Sequence, residues 1–341
     1  MTGGQSGTTS TPTGQADAAR RSKSGWMRFA EAYALVAGIL VLGAIFGFLR
    51  PESFLSWGNI TTILGSQAVL VVLTLALIIP LTAGDLDLSV ASILTLSAML
   101  LAVLNGLYQW PLWAAVVVAL LSGVATGLVN AGFILYFRIP SLIVTLGTGT
   151  FVNGIVLWVS GSMTVSGISP ALVDWVVVRR LFGVPLAFFY AVIFCAALWY
   201  FLEYTTPGRR LLFVGRGREV ARLSGIRVNT VRCWSLVASG FFSACAGILY
   251  AGTIGAADPL SGLTFLLPAF AAGFLGATSI SPGRFNPWGS FVAVYFLVTG
   301  ITGLTILGIQ TYVQNLFYGG GLVLAVAISQ LVRNREAQDF S

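Results

Sequence analysis

Glu203-Tyr-Thr-Thr-Pro-Gly-Arg-Arg-Leu-Leu-Phe-Val-Gly-Arg-Gly-Arg-Glu-Val-Ala-Arg-Leu-Ser-Gly-Ile-Arg-Val-Asn-Thr-Val-Arg232 packs seven arginines into the middle of a chain that otherwise reads as one apolar run after another. Membrane chains concentrate Lys and Arg in cytoplasmic loops. This stretch therefore predicts a cytoplasmic loop and sets the side of every segment before and after it.

The composition agrees with a membrane setting. Apolar residues make up 57% of the chain and charged residues 9%, against roughly 25% charged in soluble domains, and the mean hydropathy is +0.90. The net charge of +7 does not point to nucleic acid, because the basic residues cluster in loops beside apolar segments and the positive-inside rule explains them. There is no histidine, so histidine general-base catalysis and histidine metal sites are excluded. Cys195, Cys233 and Cys245 lie in or beside apolar segments without CxxC spacing and read as small core residues.

Residues 1–28 are rich in Gly, Ser, Thr, Gln and Ala and predict a disordered cytoplasmic tail. Arg20, Arg21, Lys23 and Arg28 then precede a long apolar segment with no convincing cleavage site, which predicts an uncleaved first helix with its N-terminus inside. A span needs about 20 apolar residues. On that measure spans fall near 30–49, 60–82, 86–106, 111–136, 141–160, 183–202, 233–253, 264–280, 287–308 and 311–331. The fold class is therefore all-α: a polytopic transmembrane bundle of about ten spans, both termini cytoplasmic, with at least one broken helix. The transmembrane body covers 29–332, and 333–341 forms a cytoplasmic C-terminal tail. The segments 82–90 and 254–264 read either as loops or as re-entrant breaks. With this topology, fifteen of the eighteen Lys and Arg fall inside, and only Arg50, Arg179 and Arg180 fall outside. Gly43–Gly47 and Gly123–Gly127 are GxxxG pairs. They predict close helix packing within one bundle rather than a seam between two copies.

Few residues could carry chemistry. No GxxxxGK[ST] phosphate loop occurs, so any ATP must be bound by another subunit. No nucleophile–base pair can be assembled, no catalytic residue is expected, and no metal site is expected. Asp85 and Asp87 stand between two apolar spans, where a charge facing lipid costs about 2.5–3.5 kcal/mol. Two readings stand for them and Ser89: capping of a helix start, or a polar break lining a translocation path. Thr145, Thr148, Thr150 and Asn153 form a polar set within one span. They either bond between helices or line a path for a hydroxylated solute. Pro170-Ala-Leu-Val-Asp-Trp-Val-Val-Val-Arg-Arg180 reads as a short amphipathic piece on the outer face. Its Asp174, Trp175, Arg179 and Arg180 either rest at the interface or dock an external partner. A helix near 216–225 would set Val220 and Leu223 on one apolar face and Arg218 and Arg222 on a basic one, a shape that fits a partner's groove.

Three stretches, in order, resemble one family. Gly84-Asp-Leu-Asp-Leu-Ser-Val-Ala-Ser92, Ile139-Pro-Ser-Leu-Ile-Val-Thr-Leu-Gly-Thr148, and Thr206-Pro-Gly-Arg209 with Val214-Gly-Arg-Gly-Arg-Glu-Val-Ala-Arg-Leu-Ser-Gly-Ile226 are similar to motifs of the ribose-type permeases of ATP-binding cassette importers, over roughly 50–332. The resemblance implies a permease subunit for a ribose-like or other monosaccharide or polyol. Its partners would be a cytoplasmic ATPase holding ATP and Mg, an extracytoplasmic solute-binding protein, and a second permease copy or close paralogue. The setting would be membrane lipid of the bacterial inner membrane. It implies that Gly215, Arg216, Gly217, Arg218, Val220, Ala221, Arg222, Leu223, Ser224 and Gly225 make the ATPase-coupling loop, with no cofactor on this chain. Ala91, Arg216 and Gly217 depart from the family's usual residues, as does Gly276-Ala-Thr-Ser-Ile-Ser-Pro-Gly-Arg284. The competing reading is an ion-coupled secondary transporter or channel that needs no ATPase.

Overall fold

The computed structural model describes residues 33–310 and 312–338. The predicted N-terminal tail with Arg20, Arg21, Lys23 and Arg28, and the final three residues, lie outside them. The described chain is helix after helix. In order these are α1 (Tyr33–Leu49), α2 (Trp57–Thr82, interrupted at Gln67), α3 (Val90–Leu107), α4 (Leu112–Leu135), α5 (Ser141–Ser160) and α6 (Leu186–Tyr204). After these come α7 (Thr206–Arg216), α8 (Arg218–Leu223), α9 (Val228–Ile254), α10 (Ser261–Gly276), α11 (Pro287–Ile306) and α12 (Tyr312–Gln338).

Seven of these helices, α2, α3, α4, α5, α6, α9 and α11, are long and apolar enough to cross a membrane. The predicted span 264–280 is instead a 16-residue helix. At 1.5 Å per residue it reaches about 24 Å, short of the ~30 Å hydrocarbon core. The predicted span 86–106 starts later, at Val90, because the chain from Ala83 to Ser89 leaves helical geometry while remaining inside the protein: Ala83, Asp85, Asp87 and Ser89 are all buried.

The core is built from α2, α3 and α9. Every residue from Ala68 to Thr82 is buried, which explains why that stretch is apolar on all sides rather than striped. By contrast only 22–28% of the α4, α5 and α6 spans is buried, as suits helices at the edge of a bundle. α9 lies against α4 at backbone distance. A Cβ on Gly123 would strike the Gly240 carbonyl, and one on Gly240 would strike the Gly123 carbonyl. The Gly123–Gly127 pair thus works within the bundle. A Cβ on Gly43 would meet nothing within 4 Å among the described residues outside its own helix. Ser97 Oγ donates to the Ala244 carbonyl at 2.8 Å and Tyr295 OH to the Leu64 carbonyl at 2.8 Å; these polar bonds join helices in an otherwise apolar core.

The helices alternate between two ends. At one end Asp85, Arg138, Ser141, Arg218 and Arg232 surround a common cavity, and Arg284 pairs with Glu203. At the other end, two short antiparallel ladders form: Val165–Ser166 with Ala256–Ala257, and Arg180–Leu181 with Val184–Pro185. There Asn105 Oδ1 accepts from the Ser169 N–H at 2.7 Å, and Thr164 Oγ1 donates to Asp258 at 2.9 Å. After Asp258 the chain dips back between helices, and the Gly262 N–H reaches Thr95 Oγ1 at 3.0 Å. That is the re-entrant alternative for 254–264.

Candidate functional site

The segment Gly84–Ser89 joins helices that are far apart in sequence. Asp85 is 2% exposed, and both its oxygens are taken. Arg232, at the start of α9, grips it with Nε on Oδ2 and Nη2 on Oδ1, both at 2.7 Å. Arg218, the first residue of α8, adds Nη2 on Oδ1 at 3.0 Å. The same Arg218 nitrogen donates to the carbonyls of Ala83 at 3.1 Å and Gly84 at 2.8 Å. Burying a carboxylate is costly unless it is paired and hydrogen-bonded, and two guanidiniums meet that demand. Gly84 has φ +78°, in the left-handed region that glycine enters without Cβ strain.

Asp87 is fully buried. Its Oδ1 accepts from the Ser89 N–H at 3.0 Å and Ser89 Oγ at 2.6 Å, a local turn just before α3. Its Oδ2 accepts from Ser239 Oγ of α9 at 2.8 Å. Ser89 Oγ in turn accepts from Asn130 Nδ2 of α4 at 2.8 Å, and Thr148 Oγ1 of α5 donates to Asn130 Oδ1 at 2.6 Å. The Leu86 and Leu88 N–H groups donate to Ser141 Oγ and Thr145 Oγ1 of α5, both at 3.1 Å. Asp85, Asp87, Ser89, Thr145 and Thr148 therefore belong to one polar network. Asn153 does not: it is half-buried and makes no hydrogen bond among the described residues.

Sequence reading missed Arg232, Ser239, Asn130 and Ser141 as members of this network. A signal for α9 was present: Arg232, Ser235, Ser239 and Ser243 recur at helical spacing and mark a polar stripe along an apolar helix.

The arginine-rich loop folds as two short helices, α7 and α8, broken at Gly217. A Cβ on Gly215 would collide with the Thr82 carbonyl oxygen, so the α7 backbone touches the end of α2 directly. On α8, Val220 is 59% and Leu223 88% exposed, while Ala221 is buried. The apolar pair expected from spacing is thus free. The expected basic face is divided: Arg218 turns inward onto Asp85, and Arg222 pairs with Glu219 on the same helix at 3.2 Å. Gly225, at φ +79°, ends the helix, with Arg216, Gly217 and Ser224 bounding it. Beside α8 opens a cavity of about 590 Å³ lined by Asp85, Arg138, Arg218, Arg222 and Arg232.

At the opposite end Arg179 Nε meets Asp174 at 2.7 Å, and its guanidinium lies 4.1 Å from the Trp175 ring centre. Arg180 is exposed at the start of the adjacent hairpin. Among the described residues no group of three or more His, Cys, Asp or Glu could hold a metal ion.

Residues 59–326 match the family described as branched-chain amino acid transport system / permease component. The chain belongs to this family. It is 30% identical to the D-allose transport system permease protein AlsC of Escherichia coli K12, over 93% of this chain and 97% of that one. It is 30% identical to the ribose import permease protein RbsC of the same strain, over 87% of this chain and 93% of that one. It is 29% identical to the autoinducer 2 import system permease protein LsrD of Salmonella typhimurium LT2, over 88% of this chain and 92% of that one. This member is a multi-pass membrane protein and a transport subunit, not an enzyme.

Proposed function

We propose that this permease is the membrane-spanning subunit of an ATP-driven importer in the bacterial inner membrane, and that it carries a neutral, sugar-like solute by alternating access. The relatives named for D-allose and ribose support the solute class, as does a polar network made of hydroxyl, amide and fully paired carboxylate groups. In this reading the bundle has about ten spans with both termini in the cytoplasm. Its arginine-rich end faces the ATPase, and Asp174, Trp175, Arg179 and Arg180 face the solute-binding protein. ATP and Mg sit on the ATPase, and a second permease copy completes the channel. Asp85, Asp87, Ser89, Thr145, Thr148 and Asn153 border the path.

The observation that carries this reading is the pair Val220 and Leu223, exposed on a short helix whose other side is fixed to the bundle. An apolar pair raised from an otherwise basic loop has the form of a helix-in-groove contact. The ATP-bound partner would shift the bundle between inward-open and outward-open states by as much as its affinity differs for the two. Leu223→Asp is expected to leave membrane insertion intact and abolish ATP-driven uptake of labelled ribose or allose. Normal uptake by this variant would sink the docking role. Uptake that survives ATP depletion while an ion gradient is kept would favour the ion-coupled alternative.

A further inference from the structure

We propose that Arg218 is the positioning residue that transmits engagement of the ATPase to the buried Gly84–Ser89 segment, and through it to three spans. The inference rests on α8 being the ATPase-docking helix.

Arg218 heads α8, two residues before exposed Val220, yet its guanidinium points the other way. Three oxygens of Ala83, Gly84 and Asp85 lie within 3.1 Å of its Nη2. Nη2 carries two hydrogens, so the three acceptors share them, and the permanent charge of the guanidinium strengthens each contact. Asp85 is almost wholly buried, so the charge pair is screened less than a surface pair and links α8 stiffly to the segment. The contact between Gly215 and the Thr82 carbonyl adds a second point of support one turn earlier.

Beyond Asp85 the segment has no slack. Arg232 holds the carboxylate from α9, Ser239 holds Asp87 from the same helix, Asn130 reaches Ser89 from α4, and Ser141 and Thr145 hold two backbone N–H groups from α5. Displacing α8 must therefore drag Gly84–Ser89 with it or break the Arg218 contacts. Packed networks of this kind switch between discrete arrangements instead of bending continuously. Arg222, four residues on, pairs with Glu219 of its own helix, and among the described residues it makes no hydrogen bond to Gly84–Ser89.

The test compares wild type, Arg218→Gln, Arg218→Lys and Leu223→Asp, each co-expressed with a tagged ATPase subunit and reconstituted in proteoliposomes with the binding protein. Three quantities are read: ATPase co-purification, ATP hydrolysis, and solute taken up per ATP hydrolysed. Arg218→Gln is expected to retain the ATPase and hydrolyse ATP within about twofold of wild type. Uptake per ATP is expected to fall at least about fivefold, the lower end of the range for coupled sites. Arg218→Lys, which keeps the charge on a shorter side chain, is expected to fall between the two. It carries the same comparison if the glutamine variant does not accumulate. An unchanged ratio, or hydrolysis and uptake falling in parallel, overturns the proposal. If Leu223→Asp still co-purifies with the ATPase, the docking reading fails and this inference with it. If Leu223→Asp releases the ATPase and Arg218→Gln leaves the ratio unchanged, the link alone fails.

Discussion

Asp85 and Asn130 show how differently two buried polar residues weigh. Asp85 neutralises Arg232, whose side chain is itself only 14% exposed. Arg218 is 37% exposed and can turn to water if its partner is lost, but Arg232 cannot. Breaking a buried pair by removing one partner costs about 3–5 kcal/mol, so Asp85→Ala is expected to lower the unfolding temperature in detergent substantially, or to prevent accumulation. Asn130 instead makes two neutral bonds between helices. Such bonds average ~0.6 kcal/mol each inside membranes, so Asn130→Ala is expected to cost about 1–2 kcal/mol in the same measurement. A reversed ranking would mean that the Asp85 pair is solvated in the native protein. Of the two, only Asp85 was partly legible in the sequence, since nothing local marks Asn130. Asp85 stood out as a charge between apolar spans, but its partners lie 133 and 147 residues away, and no local pattern names them.

At the scale of the helix, the two GxxxG pairs are alike as sequence and unlike as structure. Gly240 of α9 meets the backbone of Gly123 on α4, and backbone cannot rotate away as a side chain can. Gly43 of α1 faces open space among the described residues. Overpacking costs typically about 1–3 kcal/mol and sometimes more. Gly240→Val is therefore expected at or above the top of that range, seen as loss of monodisperse protein on gel filtration, while Gly43→Val is expected to behave as wild type. Equal behaviour of the two would refute the close approach of α4 and α9. The apolar segments themselves were legible because hydropathy averaged over about 20 residues is insensitive to detail. The break near 82–90 was legible, but that same averaging set its end too early: Leu86 and Leu88 keep the average high, so the next span was started at 86 although the helix begins at Val90. It also made a full span of α10, since Thr278 and Ile280 extend the apolar run after the helix has ended at Gly276. The helix α8 was legible only in part. The spacing gave the apolar pair Val220 and Leu223, but it placed Arg218 beside Arg222, because sequence cannot show that a buried carboxylate waits on the inner side.

For the whole molecule, the deciding property is the separation of charge between the two ends. Arg138, the seven arginines of the central loop and Arg284 gather at one end, and Arg50, Arg179 and Arg180 belong to the other. The bundle's uncharged contacts sort the loops into the same two groups: the Gly215 backbone lies against the Thr82 carbonyl and Ser141 takes the Leu86 N–H at one end, while Asn105 reaches Ser169 and Val165–Ser166 pairs with Ala256–Ala257 at the other. Two independent criteria, positive-inside bias and contact, thus divide the chain alike. Cysteine labelling tests which end is cytoplasmic. Cys195 and Cys245 are buried and shielded from reagent, so Cys233→Ser gives a quiet background. In it, Phe182→Cys replaces a side chain 84% exposed at the Arg-poor end, and Arg209→Cys replaces an exposed one on α7. A membrane-impermeant maleimide is expected to label Phe182→Cys in intact cells, and Arg209→Cys only after permeabilisation. The reverse pattern would invert the orientation and remove the basis for an ATPase at α8. Labelling of both from one side would overturn the crossing of α6 between Phe182 and Arg209, on which the placement of α8 beside Asp85 depends.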